Sequence, residues 1–148
     1  MELQRDITLS IKHQKTLRVF PYFFIPALNN FYFLKTDQGF LKPKLETWKH
    51  EGYVKFISKE IEVVIEYDFT SWVGVCFKKT NDPWRIYLDD LFEKLDIPFN
   101  ENVLKIQETK DIEIIEAQID FALQHAGRVI KDHWGEISAY IRNINTNM

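Results

Sequence analysis

A single cysteine, Cys76, is all the thiol chemistry the chain possesses. No disulfide can close within the chain, and a reducing, cytoplasmic setting is the simpler expectation. Only 5 glycines occur, none clustered, which removes the backbone cradle that a phosphate-binding loop needs. GxSxG, GxGxxG, HExxH, CxxC and the Walker loop are all missing. The familiar hydrolase, dinucleotide, zinc and nucleotide sites are therefore not expected. No run of lysine or arginine exceeds a pair such as Lys78-Lys79, and the net charge is −3 with a pI near 5.8. A nucleic-acid binder needs a basic stripe against phosphates, so nucleic acid is not an expected partner. The N-terminus lacks the apolar run and small-residue cleavage site of a signal peptide. The longest uncharged stretch, residues 19–34, contains Pro21, Pro26, Asn29 and Asn30. It falls short of the ~20 apolar residues that a membrane-spanning helix requires, so no membrane association is expected.

What the chain does contain is aromatic: 12 Phe, 6 Tyr and 4 Trp make up 15% of the residues. Rings in that number normally build a core, and any left outside mark a sticky surface or a pocket. The 148 residues fit a single domain over residues 1–148, large enough to bury roughly 68–70% of its unfolded surface without a metal or disulfide staple.

Periodicity divides the chain. Ile7, Leu9 and Ile11 alternate with Thr8, Ser10 and Lys12 as a strand would, although Leu3, Ile7 and Ile11 also suit one helix face. Pro26 suits a first helical position, and a helix over residues 26–37 would close at Gly39, which tolerates the left-handed backbone of a helix end. Short runs rich in Val, Ile, Phe, Tyr and Trp follow at 40–45, 53–57, 61–67 and 72–77, with a further strand available at 84–87. The third alternates most clearly, with Ile61, Val63, Ile65 and Tyr67 opposed to Glu60, Glu62, Glu66 and Asp68. One face belongs on a core and the other in water. Short connections favour an antiparallel meander. Leu88, Leu91, Phe92 and Leu95 mark a short helix with Asp89 and Asp90 in its first turn, ended by Pro98; residues 98–108 read as a loop.

The last third carries the strongest pattern. Ile112, Ile115, Ile119, Leu123, Ala126, Ile130, Trp134, Ile137, Ile141 and Ile144 advance by three or four residues throughout, with Thr109 or Asp111 as the cap. Gly127 and Gly135 each cost about 1 kcal/mol in a helix interior, so either one bent helix or two consecutive helices is expected. The tail 143–148 should fray. The expected fold class is α+β: a meander of about four strands against a long C-terminal helix or helix pair, with a shorter N-terminal helix.

Candidate sites are few. His125 and His133 lie eight apart, about 80° apart around a helix and two turns separated, too far to share a metal unaided. Cys76, between Val75 and Phe77, has no local cation to activate it and reads as a buried structural thiol. Asp82, Asp89, Asp90 and Asp96 cluster in sequence, but acids at a helix N-terminus need no further reason. No metal and no cofactor are expected. In residues 20–33 the triplets Tyr22-Phe23-Phe24 and Phe31-Tyr32-Phe33 cannot all face one core. Some rings must meet a second layer, another subunit or solvent. The face bearing Glu60, Glu62, Glu66 and Asp68 is either a solvated sheet face or an acidic platform for a basic partner, with Lys55 or Lys78 able to pair across the sheet. Trp72 shares the parity that would place an aromatic anchor among those acids.

The order of features is a helix, Gly39-Phe40, a meander containing KEIEVVIEYD, a YLDDLF short helix and a long C-terminal helix. It resembles a class of small bacterial α+β proteins, some of toxin-immunity type. The resemblance implies a non-enzymatic binder that blocks a protein partner. Glu60, Glu62, Glu66, Asp68 and Trp72 are the expected contact residues. Two rival expectations are an enzyme or small-molecule binder with an aromatic pocket between sheet and helix, reached by His125, His133 or Asp89-Asp90, and an oligomeric subunit joined through residues 20–33.

Overall fold

The computed structural model describes residues 21–48, 51–68, 72–107 and 109–144. Two helical pieces, α1 (Pro21–Phe31) and α2 (Phe33–Thr36), lead into strands β1 (Lys44–Trp48), β2 (Glu51–Ile57), β3 (Ile61–Asp68), β4 (Trp72–Lys79) and β5 (Arg85–Tyr87). A short helix α3 (Leu88–Lys94), a 3₁₀ turn (Glu101–Leu104), and helices α4 (Ile112–Asp132) and α5 (Trp134–Asn143) complete the order. The expected strand or helix near residues 6–12 lies outside the described residues, as do His13, His50 and residues 145–148 of the tail.

All five strands pair antiparallel with their sequence neighbours in the order β1-β2-β3-β4-β5. The sheet therefore has one strand more than the four main runs, because residues 85–87 do pair with β4. The inward half of the β3 alternation is realised: Ile61, Val63, Ile65 and Tyr67 are buried in the main core, while Val64 interrupts the outward half as a buried apolar residue. Helices α1, α4 and α5 pack on that side. Val54, Phe56, Val73, Val75 and Phe77 from the flanking strands join the same layer.

The N-terminal helix starts at least five residues before the expected position, so Pro26 lies inside it. An interior proline loses one helical hydrogen bond and costs about 3 kcal/mol. Burial of Phe23 and Phe24 ahead of it, and of Ala27, Leu28 and Phe31 behind it, offsets that loss. The two aromatic triplets resolve into a second layer within the chain, because α1 packs on both β2 and α4. Phe31, Tyr32 and Phe33 are all buried, and Tyr22 is half-buried against Tyr67. Gly39 takes the left-handed conformation expected of it, at φ 74°.

The apolar stripe of the last third is two helices, but the break falls at His133, between the two glycines. Asp111 caps α4 by accepting from the Glu113 amide at 3.1 Å. Ile112, the first member of the stripe, is 59% exposed because the opening turn of α4 projects beyond the core; burial begins in earnest at Ile119. Residues 98–108 are not all loop, since the 3₁₀ turn delivers Lys105 to a bridge with Trp72. Gly127 stays helical for a packing reason: a Cβ there would stand 2.7 Å from the Asn30 carbonyl oxygen. Its hydrogen lets α1 and α4 approach closely.

The two C-terminal glycines should therefore respond oppositely to alanine. Gly127→Ala is expected to destabilise by about 1–3 kcal/mol through overpacking. Gly135→Ala, with nothing within 4 Å of the new methyl, is expected to stabilise by up to about 1 kcal/mol. Urea unfolding midpoints of the two variants check this, and equal midpoints would contradict the close-approach account.

Candidate functional site

Period 2 dictates what lies on the far side of the sheet. The outward positions are the even residues of β1, β3 and β4 and the odd residues of β2 and β5, aligned by the register. Among the described residues, the helices that build the core lie on the other side. Val64 and Cys76, paired across β3 and β4, are buried on this outward face.

The register divides the face across its middle. Toward one end lie Glu46, Glu51, Glu66 and Asp68, with Tyr53 and Trp72 among them. Toward the other lie Lys44, Lys55, Lys78 and Arg85, with Glu62 as the one acid. Three of these charges had no visible place in a single strand's pattern: Lys44, Glu46 and Arg85 arrive only through strand pairing. The face is thus dipolar: bases from β1, β2, β4 and β5 share it with the acids of β3, Lys55 and Lys78 among them as the cross-sheet expectation allowed. One ion pair joins the halves, Lys55–Glu46 at 2.9 Å, and a second, Lys78–Glu62 at 3.7 Å, lies within the basic half. Pairs this exposed contribute about 0–1 kcal/mol each.

Four of the five expected contact residues share this face: Glu62, Glu66, Asp68 and Trp72. Glu60 does not. It precedes β3 in a bend and pairs with Arg142 of α5 at 3.2 Å, on the helical side.

Glu66 is the centre of the acidic half. Burial raises its pKa above the ordinary carboxylate value, and the neighbouring acids Glu51 and Asp68 push the same way. A hydrogen bond from the Tyr87 hydroxyl and the Arg85 charge oppose the rise. Tyr87 in turn is held protonated by burial and by Glu66. Tyr53, opposite Glu66 in the register, donates its hydroxyl to Glu51. The indole of Trp72 lies across Gly74, where an added Cβ would stand 1.8 Å from a ring carbon. It meets Tyr87 at 6.0 Å between centroids and 70° between planes.

Beside this aromatic corner the edge of β4 is open between β5 and Lys105, leaving a cleft of about 520 Å³. Trp72, Tyr87, Leu104, Asp89, Asp90 and Glu101 line it. A second, more polar groove of about 890 Å³ runs along β5 between Trp84, Arg85, Glu93 and Tyr140. Neither histidine lines either cleft. His125 stacks between Phe99 and Phe121, and His133 faces Glu136 at 3.2 Å. The space between sheet and helices is filled by fully buried Phe23, Phe24, Phe56 and Phe77.

Cys76 is buried as expected, and burial pushes its thiol up to about 11. No group of three or more His, Cys, Asp or Glu among the described residues is arranged to hold a metal ion. No helix among them is long and apolar enough to cross a membrane. No family model, curated protein or solved structure matches this chain.

Two outcomes follow from the burial of this face. Glu66 has its pKa raised on folding, so its ionisation opposes folding at neutral pH, and the opposition vanishes below the ordinary value of 4.5. Glu66→Gln, which keeps an acceptor for Tyr87, is expected to raise the Tm by about 1–2 °C at pH 7. It should bring no gain at pH values below 4.5; calorimetry at the two pH values checks the sign. Cys76 should resist Ellman's reagent in the native state at pH 8 and react fully in guanidinium, which absorbance at the thiolate product reads directly.

Proposed function

We propose that the protein is a non-enzymatic binding module that holds a basic protein surface against the acidic half of its outward sheet face. The observation that carries this reading is the separation of charge across that face. Glu51, Glu66 and Asp68 gather with Tyr53 and Trp72 at one end, and the bases of neighbouring strands gather at the other. A partner presenting the opposite order would be steered into one orientation by Coulomb attraction, while Trp72 and Tyr53 supply desolvated contact area. The resemblance to small bacterial proteins of toxin-immunity type supports the same reading, in which binding blocks the partner. Glu60 drops out of the proposed contact set because it precedes β3 in a bend, outside the sheet register.

Affinity capture on the tagged protein from lysate of its host supplies the partner, which is then purified and titrated by calorimetry. Glu51→Lys combined with Glu66→Gln is expected to weaken binding by about tenfold or more while leaving the circular dichroism spectrum unchanged. Affinity that survives the double substitution, or no capture at all, overturns the reading.

A further inference from the structure

The cleft at the edge of β4 has walls of a particular kind. Trp72 and Tyr87 meet at 70°, so their rings form a corner and not a parallel slot. A compact rounded cation can touch both rings in such a corner, whereas a planar guanidinium lies flat against only one. Asp89, Asp90 and Glu101 bring three carboxylates to the rim, against one base, Lys105. None of the three acids is in an ion pair among the described residues. The helix dipole of α3 accounts for acids at positions 89 and 90. It does not account for Glu101, which reaches the same cleft from the 3₁₀ turn. The acids ring the cleft without converging as metal ligands would. At about 520 Å³ the cleft also exceeds what a bare ion needs and falls in the range of small organic ligands.

We infer that this cleft is a binding site for an organic ammonium ion, with Trp72 and Tyr87 contacting the cation and Asp89, Asp90 and Glu101 balancing its charge. The shared chemistry is an alkylated ammonium group, presented either by a free small molecule or by a modified lysine side chain. Gly74 is the seat of the site, since it is the absence of a side chain there that lets the Trp72 ring lie down beside Tyr87.

The test is a titration of the ¹⁵N-labelled full chain with choline, with its uncharged carbon isostere 3,3-dimethylbutan-1-ol as control, at constant ionic strength. Choline is expected to give saturable shifts of the Trp72 indole N–H and of amides in residues 87–90 and 101–105, and the isostere none there. Replacing Asp89, Asp90 and Glu101 by Asn, Asn and Gln should weaken choline binding by about tenfold. Gly74→Ala, which leaves every acid in place but displaces the indole, should weaken it as well. Equal shifts from the isostere, or no saturable shift at those residues, would overturn the inference. A peptide carrying trimethyllysine serves as the second arm. Tighter binding than choline identifies a side chain as the source of the cation, and equal or weaker binding identifies a free small molecule. Glu51→Lys, which lies outside the cleft, should leave choline binding unchanged, so the partner-binding reading and this one fail separately.

Discussion

The inward-facing apolar row of β3, at every second residue, is the constraint on which the rest of the structure depends. β3 sits at the middle of the meander, so its two faces become the two faces of the whole sheet. Ile61, Val63, Ile65 and Tyr67 commit one side to helices, and Glu62, Glu66 and Asp68 line the other, where none of the core-building helices among the described residues packs. A slip of one residue would invert both at once. The helices follow from this choice: α1, α4 and α5 each need a place for an apolar face, and the sheet offers it on one side.

That one-sidedness shapes what the outward face can do. Its interior-like residues, Val64 and Cys76, are buried in a row flanked by charged side chains. Burial of this kind ties chemistry to packing. It desolvates Glu66, holds the Cys76 thiol protonated, and seats Trp72 over Gly74 against Tyr87. The proposed partner surface and the proposed ammonium cleft meet at Trp72 because both depend on the register of β3, β4 and β5.

Several elements were legible in residue order alone. The period-2 run of residues 61–67, the helical stripe from Ile115 onward, the Asp111 cap and the buried state of Cys76 all depend on near neighbours in sequence. Local pattern failed where a distant contact outweighed it. Pro26 sits inside α1 because Phe23 and Phe24 are buried beyond it. Gly127 does not break α4 because Asn30 packs against its bare backbone. Glu60 leaves the acidic face because the chain bends before β3 begins at Ile61, and its carboxylate meets Arg142, 82 residues later in the chain.

The sequence by itself determined the fold class, the strand that divides core from solvent, and the absence of any familiar catalytic motif, since composition and periodicity are properties of adjacent residues. Only the tertiary structure decided the charge pattern of the outward face. Strand pairing brings Lys44, Lys55, Lys78 and Arg85 beside acids that look unopposed along β3, and no single strand carries that information. The cleft has the same origin. Trp72, Tyr87, Asp89 and Glu101 come from four separate elements, and only the open edge of β4 beside Lys105 brings them to one place.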